Sequence, residues 1–440
     1  MRKITYFLFI LFLAIILSAC SDDKGSTNGS AELDIKDPEN FDFETEGLPE
    51  YNKEIAELED RTLDVWLASD FADQPSIKDA VAQFESVYPN VDVNVVGYPW
   101  EDIFDQTRKA VGGGNPPDLV HGTGMIEGAE GVAEPLDDLW NKWGKEDEFL
   151  KGAIDLASYE GTKYGVPIEI NTTFYFYDKE KFEEENVEVP ESFEDLSNIS
   201  NELTTDNQYG FVTVANSWAI YGFIVSQGGN IVEIHEDGST SPSLNNDQVV
   251  KIIEEYTNMA KEDRSSPIPP PQKRQVDNPI AMFGSGRAAS FVSGPWDLSL
   301  LKEQFPEKYE NLGTAMIPGN GEGSVAGGGS LYVPTGSDDK EASFELMKWF
   351  VSDKYAMRMA EEMGRTPVKA DLYDSDLFND PLLQPFIETL DNAKAFPIVN
   401  QEVVDIFNSA IRDIFDGDDA ETRLNQAQKE AKDAIKRAEG

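Results

Sequence analysis

From residue 61 onward, apolar and polar positions divide the chain into short strands alternating with amphipathic helices. Thr62-Leu63-Asp64-Val65-Trp66-Leu67 alternates with the period of a strand. Ile77, Ala80, Val81 and Phe84 then recur on one helical face, and Val91 to Val96 returns to the strand pattern. Asp102 to Val111 predicts a second helix, which Gly112 to Pro117 stops, and Asp118 to His121 reads as a third strand. This order predicts an α/β fold built on a mostly parallel, doubly wound sheet. Such sheets hold ligands outside the carboxyl ends of their strands. Those ends are Ala68 to Phe71, Tyr98 to Asp102 and His121 to Gly124.

Further along, Tyr164 to Ile168 and Phe174 to Lys179 read as extended, and Trp218 to Gln227 and Asn246 to Lys261 as helices. Gly228 to Ser239 suggests a hairpin-like insertion, and Pro267 to Pro271 a rigid extended loop. A helix end with Met282 and Phe283 leads into a small-residue turn and a buried strand, Ala288 to Val292. Gly294-Pro295 then fixes the direction in which Trp296 leaves. Asp418 to Gly440 closes the chain as an amphipathic helix with Leu424, Ala427, Ala431 and Ile435 on one face. No internal repeat is visible.

The N-terminus follows a different pattern. Arg2 and Lys3 precede an apolar run, Tyr6 to Leu17, which ends in Leu17-Ser18-Ala19-Cys20. Residues 1–20 therefore read as a secretory signal peptide, and no other stretch is long enough to span a bilayer. Residues 21–60 are small, polar and acidic and read as a tether, with a short acidic helix within Pro49 to Asp60.

At 440 residues the chain is too long for one ordinary core. Its 36 basic residues against 83 acidic ones give a net charge of −47, a surface that repels nucleic acid and anionic lipid. That charge predicts a halophilic or alkaliphilic source.

Signals of catalysis are sparse. His121 and His235 lie far apart without metal-type spacing, Cys20 is the one cysteine, and Gly112-Gly113-Gly114 lacks the lysine of a phosphate loop. No metal or cofactor is implied. With so many acids, paired carboxylates arise by chance, so a glycosidase or lyase stays open. Aromatic and polar residues at predicted strand ends and turns suit a sugar, which presents apolar faces ringed by hydroxyls. They are Asp70, Phe71, Trp100, Glu101, Thr123, Asn171, Tyr175, Trp218, Trp296, the turn Gly327-Gly328-Gly329-Ser330, and Arg365. Each has a packing, capping or surface role as its rival. An aromatic box for a quaternary-ammonium osmolyte is the competing binding reading.

Phe283 to Trp296 resembles the F-x-x-G-x-A-A-x-x-x-x-G-P-W segment of extracellular solute-binding proteins, the maltose- and sugar-binding-like family that serves ABC importers. Tyr175-Phe176-Tyr177-Asp178-Lys179 is similar to the strand that follows that family's first crossing between lobes. Gly364-Arg365-Thr366-Pro367 is similar to a loop near its cleft, and Leu17 to Cys20 resembles a lipobox. The resemblance implies a two-lobe periplasmic-binding-protein fold with three interlobe crossings. It divides the chain into an N-lobe of residues 61–168 plus 314–332 and a C-lobe of 172–312 plus 335–440. It places the crossings after Ile168, at Asn311 to Pro318 and at Gly327 to Pro334. It further implies a monomeric, non-enzymatic protein, lipidated at Cys20 on the outer face of the membrane, that hands a sugar, an oligosaccharide by preference, to an ABC permease. Trp296 and the Gly-Gly turn would lie near the ligand. Asn171 stands where relatives commonly carry an acid.

Overall fold

The strand β1 (Arg61–Ala68) buries Leu63, Val65 and Leu67 and pairs in parallel with both β2 (Val91–Tyr98) and β3 (Leu119–Gly122). The crossover helix α1 (Pro75–Val87) starts with proline, whose fixed φ suits the first turn. It buries Ile77, Ala80, Phe84 and Val87, as its period predicts. The helix α2 (Trp100–Gly112) follows β2. The computed structural model describes residues 35 and 37–439, apart from 236–239, 271–276, 320–322, 391 and 398–399. The predicted signal peptide, Cys20 and the start of the tether lie outside the described residues.

β4 (Gly165–Thr172) completes this first sheet by pairing with a later strand, and the chain then passes at Thr173 into β5 (Phe174–Asp178). β5 is the centre of a second sheet, flanked antiparallel by β6 (Ser290–Ser293) and β7 (Leu312–Ala315). Both of its faces are covered. Tyr175 packs with Phe211, Phe223 and Tyr256, while Phe174 and Phe176 pack with Phe283, Phe291 and Phe386. The helices α3 (Ser217–Ser226), α4 (Asp247–Lys261) and α5 (Trp296–Gln304) belong to this C-lobe. A short hairpin, Val232–Ile234 with Thr240–Pro242, occupies the expected insertion, whose tip lies outside the described residues.

β8 (Val325–Tyr332) returns to the first sheet and lies between β3 and β4, antiparallel to both. The helices α6 (Lys340–Phe350) and α7 (Asp353–Met363) then pack on α1. β9 (Lys394–Ala395) joins the start of β8, and α8 (Gln401–Phe415) and α9 (Ala420–Glu439) finish the C-lobe.

The two-lobe α/β architecture matches expectation, with four corrections. The sheets are mixed, and the C-lobe sheet is antiparallel around β5 rather than mostly parallel. Residues 340–363 sit on the N-lobe, because α6 and α7 carry apolar stripes that α1 covers. The second crossing follows Ala315, since Leu312 to Ala315 still pairs with β5. The third follows Met363 instead of occupying Gly327 to Pro334, which is strand. The crossings are stitched together: Thr173 Oγ1 and Ser324 Oγ lie 2.8 Å apart, and the Thr366 hydroxyl donates to the Ile170 carbonyl.

The tether is also shorter than expected. Phe43, Leu48 and Ile55 are buried, Tyr51 stacks on Tyr88, and Phe43 meets Trp349 edge-on. Asn52 donates to buried Glu345 at 2.7 Å, and the predicted acidic helix spans Lys53–Ala56. Aromatic side chains at 41–51 bury enough surface to order this stretch.

Candidate functional site

The carboxyl ends of β1, β2 and β3 converge on one group of side chains, as an α/β sheet should arrange. Asp70 and Phe71 lie in the short helix Ser69–Ala72 directly after β1. Trp100 opens α2 after Pro99 and is 44% exposed. His121 lies near the end of β3, its ring edge-on to Phe71 at 4.5 Å and to Trp100 at 4.9 Å.

Beneath them runs Gly327-Gly328-Gly329 of β8, which is a strand and not the expected turn. Its glycines serve close approach rather than positive φ. A Cβ on Gly329 would lie 2.1 Å from His121 Nε2. On Gly327 it would lie 2.6 Å from the Trp218 ring and 2.7 Å from Asn171 Oδ1, and on Gly328 2.4 Å from the Glu169 carbonyl oxygen. Gly327 and Gly329 point the same way along the strand, so one bare strip underlies Trp218 and His121.

Trp218 enters from the C-lobe at the start of α3, where Asn216 caps the helix by accepting from the Ala219 N–H at 3.1 Å. Trp296, first residue of α5, folds its ring over Gly294 and lies 6.2 Å from the Trp218 ring. Gly364 sits against the Pro295 carbonyl and the Trp296 backbone with φ of +64°, a conformation glycine adopts freely. The next residue, Arg365, returns the path to the N-lobe. Its guanidinium lies 5.0 Å over Phe71, pairs with Asp70, and donates from Nη1 to both Glu169 oxygens at 3.1 and 3.3 Å. The contacts therefore close a circuit through both lobes.

Electrostatics sharpen this picture. Burial raises the Glu169 carboxyl above its usual range, with Arg365 pulling it down and Asp70 pushing it up. Burial alone would lower Arg365, but Glu169 and then Asp70 outweigh it and hold it above its ordinary value. His121 is pushed down to about 3 by burial, helped by Arg365, so its imidazole is neutral. Neither of its ring nitrogens has a hydrogen-bond partner in the protein, nor does Arg365 Nε.

Of the sequence-predicted residues, Asp70, Phe71, Trp100, Asn171, Trp218, Trp296, Gly328, Gly329 and Arg365 lie in or under this circuit. Glu101 stands beside Trp100 on the exposed face of α2. Thr123 does not face it: its hydroxyl donates to buried Glu127 at 2.8 Å and accepts from the Ile126 N–H, capping the helix Met125–Ala129. Tyr175 lies in the C-lobe core, because β5 is covered on both faces. Sequence reasoning missed His121 and Glu169. Glu169 carried a signal, an acid in the middle of an otherwise uncharged strand, all eight of whose residues are buried. Among the described residues no acid, histidine and cysteine cluster could hold a metal, and no helix is long and apolar enough to cross a membrane.

Residues 79–385 match the family model for bacterial extracellular solute-binding proteins. A galactooligosaccharide-binding protein of Bacillus subtilis (strain 168) is 26% identical over 375 residues, covering 82% of this chain and 86% of its own. Among solved structures, an ABC transporter solute-binding protein from Thermotoga lettingae bound with α-D-tagatose superposes with a TM-score of 0.76 at 22% identity. That match covers 85% of this chain and 100% of the other. An ABC substrate-binding protein from Listeria monocytogenes in complex with cycloalternan gives 0.75 at 20% identity, covering 86% and 99%.

Proposed function

The chain belongs to the bacterial extracellular solute-binding protein family, and we propose that this member captures a sugar, an oligosaccharide, between its lobes and delivers it to an ABC permease. The observation that carries the reading is one circuit that holds the Trp218–Trp296 pair, Trp100 against His121, and Asp70, Asn171 and Arg365 over a glycine floor. Indole faces stack on sugar C–H surfaces, and the fixed polar groups match ring hydroxyls. The cargoes named for relatives, galactooligosaccharide, α-D-tagatose and cycloalternan, point the same way.

In this reading the lobes rotate about the three stitched crossings, and closure buries the ligand. Cys20 carries the lipid that holds a monomeric protein at the outer face of the cell membrane, and the acidic surface suits a saline or alkaline medium. The protein binds and releases its ligand unchanged.

Intrinsic tryptophan fluorescence titrated with galacto-, malto- and xylo-oligosaccharides tests this, with glycine betaine alongside. A saturable change with one sugar series, and no new product by chromatography, is expected. A response to betaine alone would make the protein an osmolyte receptor, and appearance of shorter sugars would make it a hydrolase. Either would overturn the proposal.

A further inference from the structure

The charges in the circuit are unequal. Arg365 is its guanidinium, and two carboxylates hold it directly, Glu169 from β4 and Asp70 after β1. Asp297, on α5 of the opposite lobe, is a third acid acting on Arg365 and is itself buried, accepting from Ser293 Oγ at 2.5 Å. The other ionisable ring, His121, is neutral. One positive charge therefore faces three formally negative groups, on a chain already at −47.

We propose that this arrangement makes the site selective against anionic ligands, so that it takes uncharged sugars and rejects their uronic acid counterparts. The inference rests on the sugar reading and adds a substrate class to it. A carboxylate brought between the lobes loses its hydration on closure. Arg365 compensates it poorly, because its terminal nitrogens already serve Glu169 and Asp70 and its remaining Nε–H is buried. Coulomb repulsion from a net negative wall grows as closure excludes water. Neutral hydroxyls meet no such penalty, because exposed Asp70 accepts hydrogen bonds from them.

The test separates charge from shape. Calorimetric titration would compare neutral oligosaccharides, the matching uronides (galactobiose with digalacturonate, glucosyl-xylotriose with glucuronosyl-xylotriose) and the uronide methyl esters. Where the neutral sugar binds, the ester is expected within about tenfold of it and the acid at least about a hundredfold weaker. Asp70→Asn is expected to narrow the gap between acid and ester at least about threefold, with circular dichroism and urea unfolding confirming the fold. An acid that binds as tightly as its ester, or a gap unchanged in Asp70→Asn, would overturn the inference and leave the sugar reading standing. Silence to neutral sugar, ester and acid together, with the fold intact, would sink both.

Discussion

Arg365→Met removes the one cation of the interlobe circuit while keeping most of its length. Glu169, only 5% exposed, then loses its ion pair and keeps its burial. Breaking a buried pair by deleting one partner costs about 3–5 kcal/mol. The lower end applies here, because Asp70, the second partner, is half exposed and contributes little. A loss of about 3 kcal/mol in urea unfolding at pH 7 is therefore expected. The pH dependence has a definite sign. Glu169 already binds its proton more tightly in the folded state than an exposed glutamate does, and without Arg365 it holds it more tightly still. An acid whose folded pKa is raised costs stability above that pKa, and the cost vanishes as pH falls below the unfolded value of about 4.3. The difference between variant and wild type should be largest at high pH and shrink as pH falls toward about 4.3. A loss under about 1 kcal/mol, or one that does not shrink as pH falls, would refute the Arg365–Glu169 contact as a buried ion pair.

Gly329→Ala places a methyl against His121 and should cost about 1–3 kcal/mol by overpacking. Ligand affinity should drop with it, whereas Gly112→Ala, which meets nothing within 4 Å, should leave affinity untouched. His121, held near 3 when folded and about 6.5 when unfolded, contributes stability that is full above pH 6.5 and is lost as pH falls toward 3. Its imidazole resonances should show no titration between pH 8 and pH 5, and a midpoint near 6.5 would contradict its burial. Lys308→Met strands Asp178, 1% exposed and paired with Lys308 at 2.5 Å, and should cost about 3 kcal/mol in urea unfolding. Raising NaCl from 0.1 to 2 M should raise the unfolding temperature by screening the net charge of −47; a flat or falling curve would remove repulsion as a stability term.

Much of the fold was legible because each N-lobe element obeys one period. The stripe Ile77, Ala80, Phe84 and the alternation of β1 name their buried faces directly. Tyr175 misled because β5 is covered on both sides, so alternation along Phe174 to Tyr177 separates two cores rather than core from cleft. The run Gly327 to Gly329 misled because glycine marks either positive φ or close approach, and sequence alone does not distinguish them. Glu169 and His121 went unread because their importance is relational. Arg365 comes from 196 residues further along, and only folding brings it to Glu169. The lobe boundary near residue 335 failed because α6 and α7 show which face they bury but not which lobe covers it.

The stretch that precedes β1 has a mechanical consequence. Residues 43–58 are fastened to the N-lobe through Phe43 on Trp349, Tyr51 on Tyr88, Asn52 on Glu345, and Asn90 on the Ile55 and Leu58 carbonyls. A pull arriving from upstream is thus absorbed by the helices behind the first sheet and never loads Thr173, Ser324 or Thr366. In the anchored protein proposed above, tugging on the leash would bypass the pivot and leave the C-lobe as the half free to swing.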